Sequence, residues 1–347
     1  MPKNSKTIVQ SAKQSFSRAR GRVHAYKDRR PHRSFRLTRR RDYMRSLKLP
    51  GYFAFTGYVN RTLWKHRKIF AILGVMYAVL SIVLVGIGSQ ETYTTLTTTL
   101  SETSAEVFEG NVDQLGQAGL LFLTIGISGL SGTLTEGQQI YAALLGLLVW
   151  LTTVWLLRNL LAGHKVRTRD GLYNAGGPLV STFLVALLLV VQLLPIGLAI
   201  IGYSAATASG LLDGGVEAML FWIAAVLLVA LSLYWMTSTF FAMIMVTLPG
   251  MYPMRAVRTA GDMILGRRLR VLARLLWMLL SMFVTWAAVL IPVILLDTWL
   301  KSVWPQIQWL PVIPVVILLL STFTIIWSSS YVYLLYRRVV DDDAQPA

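Results

Sequence analysis

Residues 247–277 read TLPGMYPMRAVRTAGDMILGRRLRVLARLLW and carry Arg255, Arg258, Arg267, Arg268, Arg270 and Arg274 against a single acid, Asp262. Long apolar runs flank this stretch on both sides. Pro249 and Gly250 end the first run, because proline lacks the helix-propagating N–H and glycine accepts turn conformations. Pro253 suits the first turn of a new helix. From there Met254, Val257, Gly261, Ile264 and Leu265 recur at helical spacing beside Arg255, Arg258 and Asp262. That pattern predicts an amphipathic helix over 253–265 lying in a membrane interface. Gly266 is the expected bend, and the remaining arginines lead into the next apolar run with their stems in hydrocarbon and their heads among phosphates. Loops rich in Lys and Arg stay in the cytoplasm, so the joint also sets orientation.

Composition agrees with a membrane protein. The chain of 347 residues is 55% hydrophobic and only 14% charged, with a mean hydropathy of +0.57. A soluble domain carries roughly a quarter charged residues. The net charge of +17 is concentrated at one end: residues 1–68 hold 20 of the 33 Lys and Arg and only Asp28 and Asp42 as acids. There is no cysteine, which excludes disulfides, thiolate catalysis and cysteine metal sites.

Working outward, six spans are expected at about 69–87, 140–161, 179–203, 218–246, 275–296 and 312–336, each near the 20 apolar residues a bilayer requires. Pro195 is the expected kink of the third. Residues 1–50 read as a basic, mostly disordered tail, too poor in apolar residues to bury a core. Residues 51–68 read as an interfacial helix (51–64) with Tyr52, Phe55, Val59 and Leu63 on one face, followed by a basic juxtamembrane segment. Residues 89–138 contain no Lys or Arg. Within them 115–132 is apolar but short and glycine-bearing, and reads as a re-entrant or interfacial segment on the outer side. Residues 339–347 read as a solvated acidic tail. Under this arrangement Lys301 alone among the basic residues falls outside, so the expected fold is an all-α membrane domain (69–338) of six spans with both termini cytoplasmic. Span two with its basic loop and span three also echo span four, basic loop and span five. Both loops contain Val-Arg-Thr, at Val166-Arg167-Thr168 and Val257-Arg258-Thr259.

Little in the chain suggests catalysis. His24, His32, His66 and His164 all sit among basic residues, without the spacing of a metal site. No serine elbow, phosphate loop or paired intramembrane carboxylates occur. The expectation is therefore no enzyme, no cofactor and no metal. The arginine set Arg255, Arg258, Arg267, Arg268, Arg270 and Arg274 is the candidate docking surface for anionic lipid headgroups or for a cytoplasmic or membrane protein partner. Nucleic acid binding by the tail is the weaker reading, since a tethered tail meets the membrane first. Oligomeric state is not legible. Gln192, Thr237, Ser238, Thr324 and Ser328 are the candidate polar interior of the bundle, either as interhelical hydrogen bonds or as the lining of a solute path.

The joint resembles a loop in six-span bacterial integral membrane proteins of the glycerophosphodiester phosphodiesterase membrane-domain-like type. The match rests on Pro253, Ala256-Val257 and Gly266-Arg267-Arg268, with KVRTRDGLYNAGGPLV as a degenerate second copy. The resemblance implies a six-helix bundle and no activity of its own, since catalysis in that family belongs to a separate soluble domain. Ala260-Gly261 and Gly266 loosely resemble the loop by which ABC-transporter permeases dock their ATPase, but its glutamate and its Ile-x-Leu-Pro are missing. The expected role is a non-catalytic, multi-pass protein of the plasma membrane that handles or organises lipid or serves as a membrane subunit. The alternative is permease-like transport of a small solute or lipid along the polar faces of spans four and six.

Overall fold

The computed structural model describes residues 49–85, 136–304, 306, 310 and 312–344, and these are mainly helical, without a strand. In chain order the helices are α1 (Tyr52–Lys65), α2 (Arg67–Val85), α3 (Glu136–Leu161), α4 (Thr168–Ala175), α5 (Leu179–Ala208), α6 (Gly215–Met245), α7 (Pro253–Ile264), α8 (Arg268–Val303) and α9 (Val312–Ala344). Six of them, α2, α3, α5, α6, α8 and α9, are long and apolar enough to cross a membrane. The expectations for residues 1–48 and for the outer segment 115–132 lie outside the described residues.

The spans are longer than their apolar cores. At about 1.5 Å per residue, the 30 residues of α5 reach roughly 45 Å, against a hydrocarbon thickness of about 30 Å. This helix continues through Pro195. The expected start of the fifth span at 275 moves back to Arg268, because the arginine-rich turn is already helical, and its end moves out to Val303. The sixth helix runs on to Ala344, so 339–344 extend it rather than forming a separate tail.

Packing is concentrated at the end of the bundle that carries the short helices. The main core joins Phe55 and Val59 of α1, Leu73 and Tyr77 of α2, and the second half of α3 to the C-terminal part of α6, to α7, to the start of α8 and to the second half of α9. A smaller cluster of Leu290, Ile313 and Ile317 joins α8 and α9 further along. Helices α3 and α9 are the inner pair, whereas few residues in the most apolar windows of α5, α6 and α8 are buried inside the protein. A chain with such faces requires an apolar solvent around them.

Each short helix is placed by identifiable residues. Helix α4 starts where the Asp170 carboxylate accepts the Arg167 N–H (2.9 Å), the reciprocal half of a capping box. It lies so close to α3 that a Cβ on Gly171 would stand 2.9 Å from Leu156 Cγ. Gly250 and Gly266, at φ +76° and +81°, bracket α7, and Gly266 is the bend the sequence predicts. Ala256, Ala260 and Ile264 face the core, while Met254 is 65% exposed. Small side chains allow the close approach of α7 to α6, so the alanines rather than the bulkier apolar residues turn inward. The two Val-Arg-Thr copies are not equivalent in position: the first begins α4 and the second lies inside α7. The order of span, short helix, span is nevertheless shared by both.

Candidate functional site

The six arginines of the joint divide into three groups. Arg255, Arg258 and Arg270 are exposed. Arg268 is half-buried with its guanidinium carbon 3.9 Å from the Tyr234 ring centroid, a close cation–π contact. Arg267 and Arg274 are interior residues, at 2% and 7% exposure. Arg267 Nε donates to the Met263 carbonyl (3.1 Å), which ties the bend at Gly266 to the end of α7. Arg274 Nη2 donates to the Pro50 carbonyl, and its guanidinium carbon lies 4.1 Å from the Tyr52 ring centroid. These two join chain segments, so the surface available for docking is Arg255, Arg258 and Arg270, bordered by Arg268 and by the exposed Tyr252, Met254 and Leu269.

Arg158, which the sequence places only at the end of a span, performs a similar task. Its Nη1 and Nη2 donate to the Thr247 carbonyl and hydroxyl, locking the end of α3 to the end of α6. A guanidinium suits this role because it holds several donors in a rigid fork. Arg67, Arg169 and Arg338 each lie over an aromatic ring, of Trp64, Tyr173 and Tyr58 respectively. His66, between α1 and α2, has a pKa lowered from 6.5, first by partial burial and then by the charge of Lys65.

The polar residues of the spans form local bonds. Thr237 and Ser238 donate to the carbonyls of Leu233 (2.6 Å) and Trp235 (3.0 Å) in their own helix. Gln192 meets Thr239, which donates to its side-chain oxygen at 2.7 Å and so links α5 to α6. Ser328 donates to Ile325 (3.0 Å) and Thr324 to Leu320 (2.7 Å), with the Trp286 indole donating to Thr324 at 2.9 Å. Thr324 lines a cavity of about 510 Å³ bounded by α1, α2, α8 and α9, and Thr237, Ser238 and Ser328 are not among its walls.

Compared with family models, curated proteins and solved structures, the chain finds no match. Its chemistry is therefore read from the site alone.

Of the sequence-predicted polar interior only Thr324 lines that cavity, and the cavity's place beside α1 was not anticipated. The signal that could have found it is the tryptophan content of α8 and α9, because an indole N–H in apolar surroundings commonly finds an acceptor. Trp277 donates to Thr56 (3.1 Å) and Trp327 to the Asn60 side-chain oxygen (2.8 Å). These bonds hold α1 against α8 and α9 and shape the cleft from below. Among the described residues no group of three or more histidines and carboxylates is placed to hold a metal ion.

Proposed function

We propose that the chain is a non-catalytic, multi-pass protein of the plasma membrane whose basic end faces the cytoplasm and engages anionic lipid. The observation that carries this reading is the joint of α7 and the start of α8, in which Arg255, Arg258 and Arg270 and the apolar Tyr252, Met254 and Leu269 are all exposed. A surface mixing cations with exposed apolar side chains matches the headgroup and glycerol level of a bilayer, with the apolar residues dipping in and the arginines meeting phosphates. Both termini follow the basic residues into the cytoplasm on the same argument. The resemblance of the joint to the membrane domains of the glycerophosphodiester phosphodiesterase group supports a role in which chemistry, if coupled, belongs to a partner. Transport between α6 and α9 is the less supported reading, because the hydroxyls of Thr237, Ser238 and Ser328 are spent on carbonyls of their own helices.

The experiment is native mass spectrometry of the full chain released from its own membranes, compared with a variant carrying Arg255, Arg258 and Arg270 changed to Gln. Arg267 and Arg274 are left intact, since their loss would unfold the joint. The reading expects fewer anionic lipids on the variant and an unchanged fold. Equal retention would assign the three arginines to topology alone.

A further inference from the structure

We propose that the cleft between α1, α2, α8 and α9 binds one anionic glycerophospholipid from the surrounding bilayer, with its phosphate at Arg67 and Asn60 and an acyl chain along α2 and α9. This inference deepens the lipid-engaging reading and rests on it.

The cleft has a polar end and an apolar end. The cavity of about 510 Å³ holds Arg67, Asn60, Thr56, Ser281, Thr285 and Thr324. Through Phe70, Ala71, Leu320 and Phe323 it shares walls with a second cavity of about 360 Å³ that carries no polar side chain among the described residues. From Arg67 to Val75 the axis of α2 advances about 12 Å, close to the roughly 15 Å of hydrocarbon in one leaflet. Each volume lies in the range of a small-molecule site, about 300–1,000 Å³, and neither accommodates a helix about 10 Å across.

The hydrogen-bond inventory selects an anion. Thr56, Ser281, Thr285 and Thr324 have already given their protons to carbonyls of their own helices. Thr56 and Thr324 also accept from the indoles of Trp277 and Trp286. The Asn60 oxygen faces the Trp327 indole, because that ring nitrogen can only donate. What Asn60 has left to offer is its NH2 group. Among the described walls the donors presented by the cleft are then this amide, the Arg67 guanidinium and the Trp64 indole N–H, and all three seek acceptor oxygens. Among the described residues no carboxylate lines either cavity to receive a headgroup amine. A phosphodiester whose headgroup carries no cation meets these conditions.

The test uses the full chain in nanodiscs of phosphatidylcholine with a minor fraction of phosphatidylglycerol, followed by native mass spectrometry and by photocrosslinking to a phosphatidylglycerol carrying a diazirine in its acyl chain. The expected result is one retained phosphatidylglycerol per chain, with crosslinks on α2 and α9 around Val75 and Leu319. Arg67→Gln should lower the preference for phosphatidylglycerol over phosphatidylcholine about tenfold. Ala71→Trp, which fills the junction of the two cavities, should abolish retention and crosslinking, while the variant lacking Arg255, Arg258 and Arg270 should keep this one lipid. Crosslinks spread evenly over all spans, or retention unchanged in both Arg67→Gln and Ala71→Trp, would overturn the cleft. If the Arg255, Arg258 and Arg270 variant still lost anionic lipid in that case, the broader reading would stand without it. A protein released by Ala71→Trp in place of lipid would equally overturn the proposal.

Discussion

At the scale of single residues, the same side chain does opposite work according to depth. Arg270 and Arg274 are one helical turn apart, yet the first is exposed and the second is sealed against Pro50, Tyr52 and Phe55. Removing a charged partner from a buried carbonyl costs about 2 kcal/mol. Arg274→Gln is therefore expected to lower the melting temperature in detergent clearly, Arg274→Lys to recover only part of it for want of a planar group to stack on Tyr52, and Arg270→Gln to leave it unchanged. Thermal unfolding of the three variants checks the order. His66 supplies a pH dependence. Its pKa lies below 6.5 in the fold, so the unfolded chain binds the proton more readily. Stability is expected to fall as pH drops through about 6.5 and to level off below the folded-state pKa. Lys65→Gln should raise the His66 pKa only in part, because burial is the larger cause, and an NMR titration of His66 measures this.

At the scale of elements, α7 is a helix set between two hinges. Gly250 and Gly266 both occupy the left-handed region, where a Cβ costs about 1–2 kcal/mol. Gly266→Ala is expected to destabilise by that amount and Gly266→Asn by less, since asparagine tolerates this conformation better. The cause is separable from packing. Gly261→Ala, inside α7 where an added Cβ meets nothing within 4 Å, should leave stability unchanged or raise it slightly. Chemical denaturation of the three variants distinguishes strain from contact. The joint was legible because proline, glycine and arginine spacing are local signals. Its inward face was not, because the choice between the Ala256–Ala260 stripe and the Met254–Val257 stripe depends on how closely α6 can approach.

At the scale of the whole molecule, α1, α4 and α7 gather at one end and knit the spans together, while the opposite halves of α5, α6 and α8 present apolar faces outward. The absence of cysteine makes orientation directly measurable. Single cysteines at Ser209, after α5, and at Arg255, at the start of α7, should react from opposite sides of the membrane with an impermeant maleimide. Ser209→Cys is expected to label from outside intact cells and Arg255→Cys only after permeabilisation. The reverse pattern would invert every span and place the arginines away from the cytoplasmic leaflet.

The number of spans, their order, the break at Pro249–Gly250 and the bend at Gly266 are properties of the sequence itself. Apolar run length, helix-breaking residues and charge asymmetry act locally or against the bilayer as a whole, and they need no knowledge of neighbours. Tertiary structure alone decided which arginines are surface and which are fastenings, which face of α7 turns inward, and that Gln192 pairs with Thr239. It also created the cleft, whose walls come from residues more than 200 positions apart, Asn60 and Trp327 among them. These outcomes depend on which helices lie side by side, and a repeating apolar pattern with a period of one helical turn is the same for every neighbour.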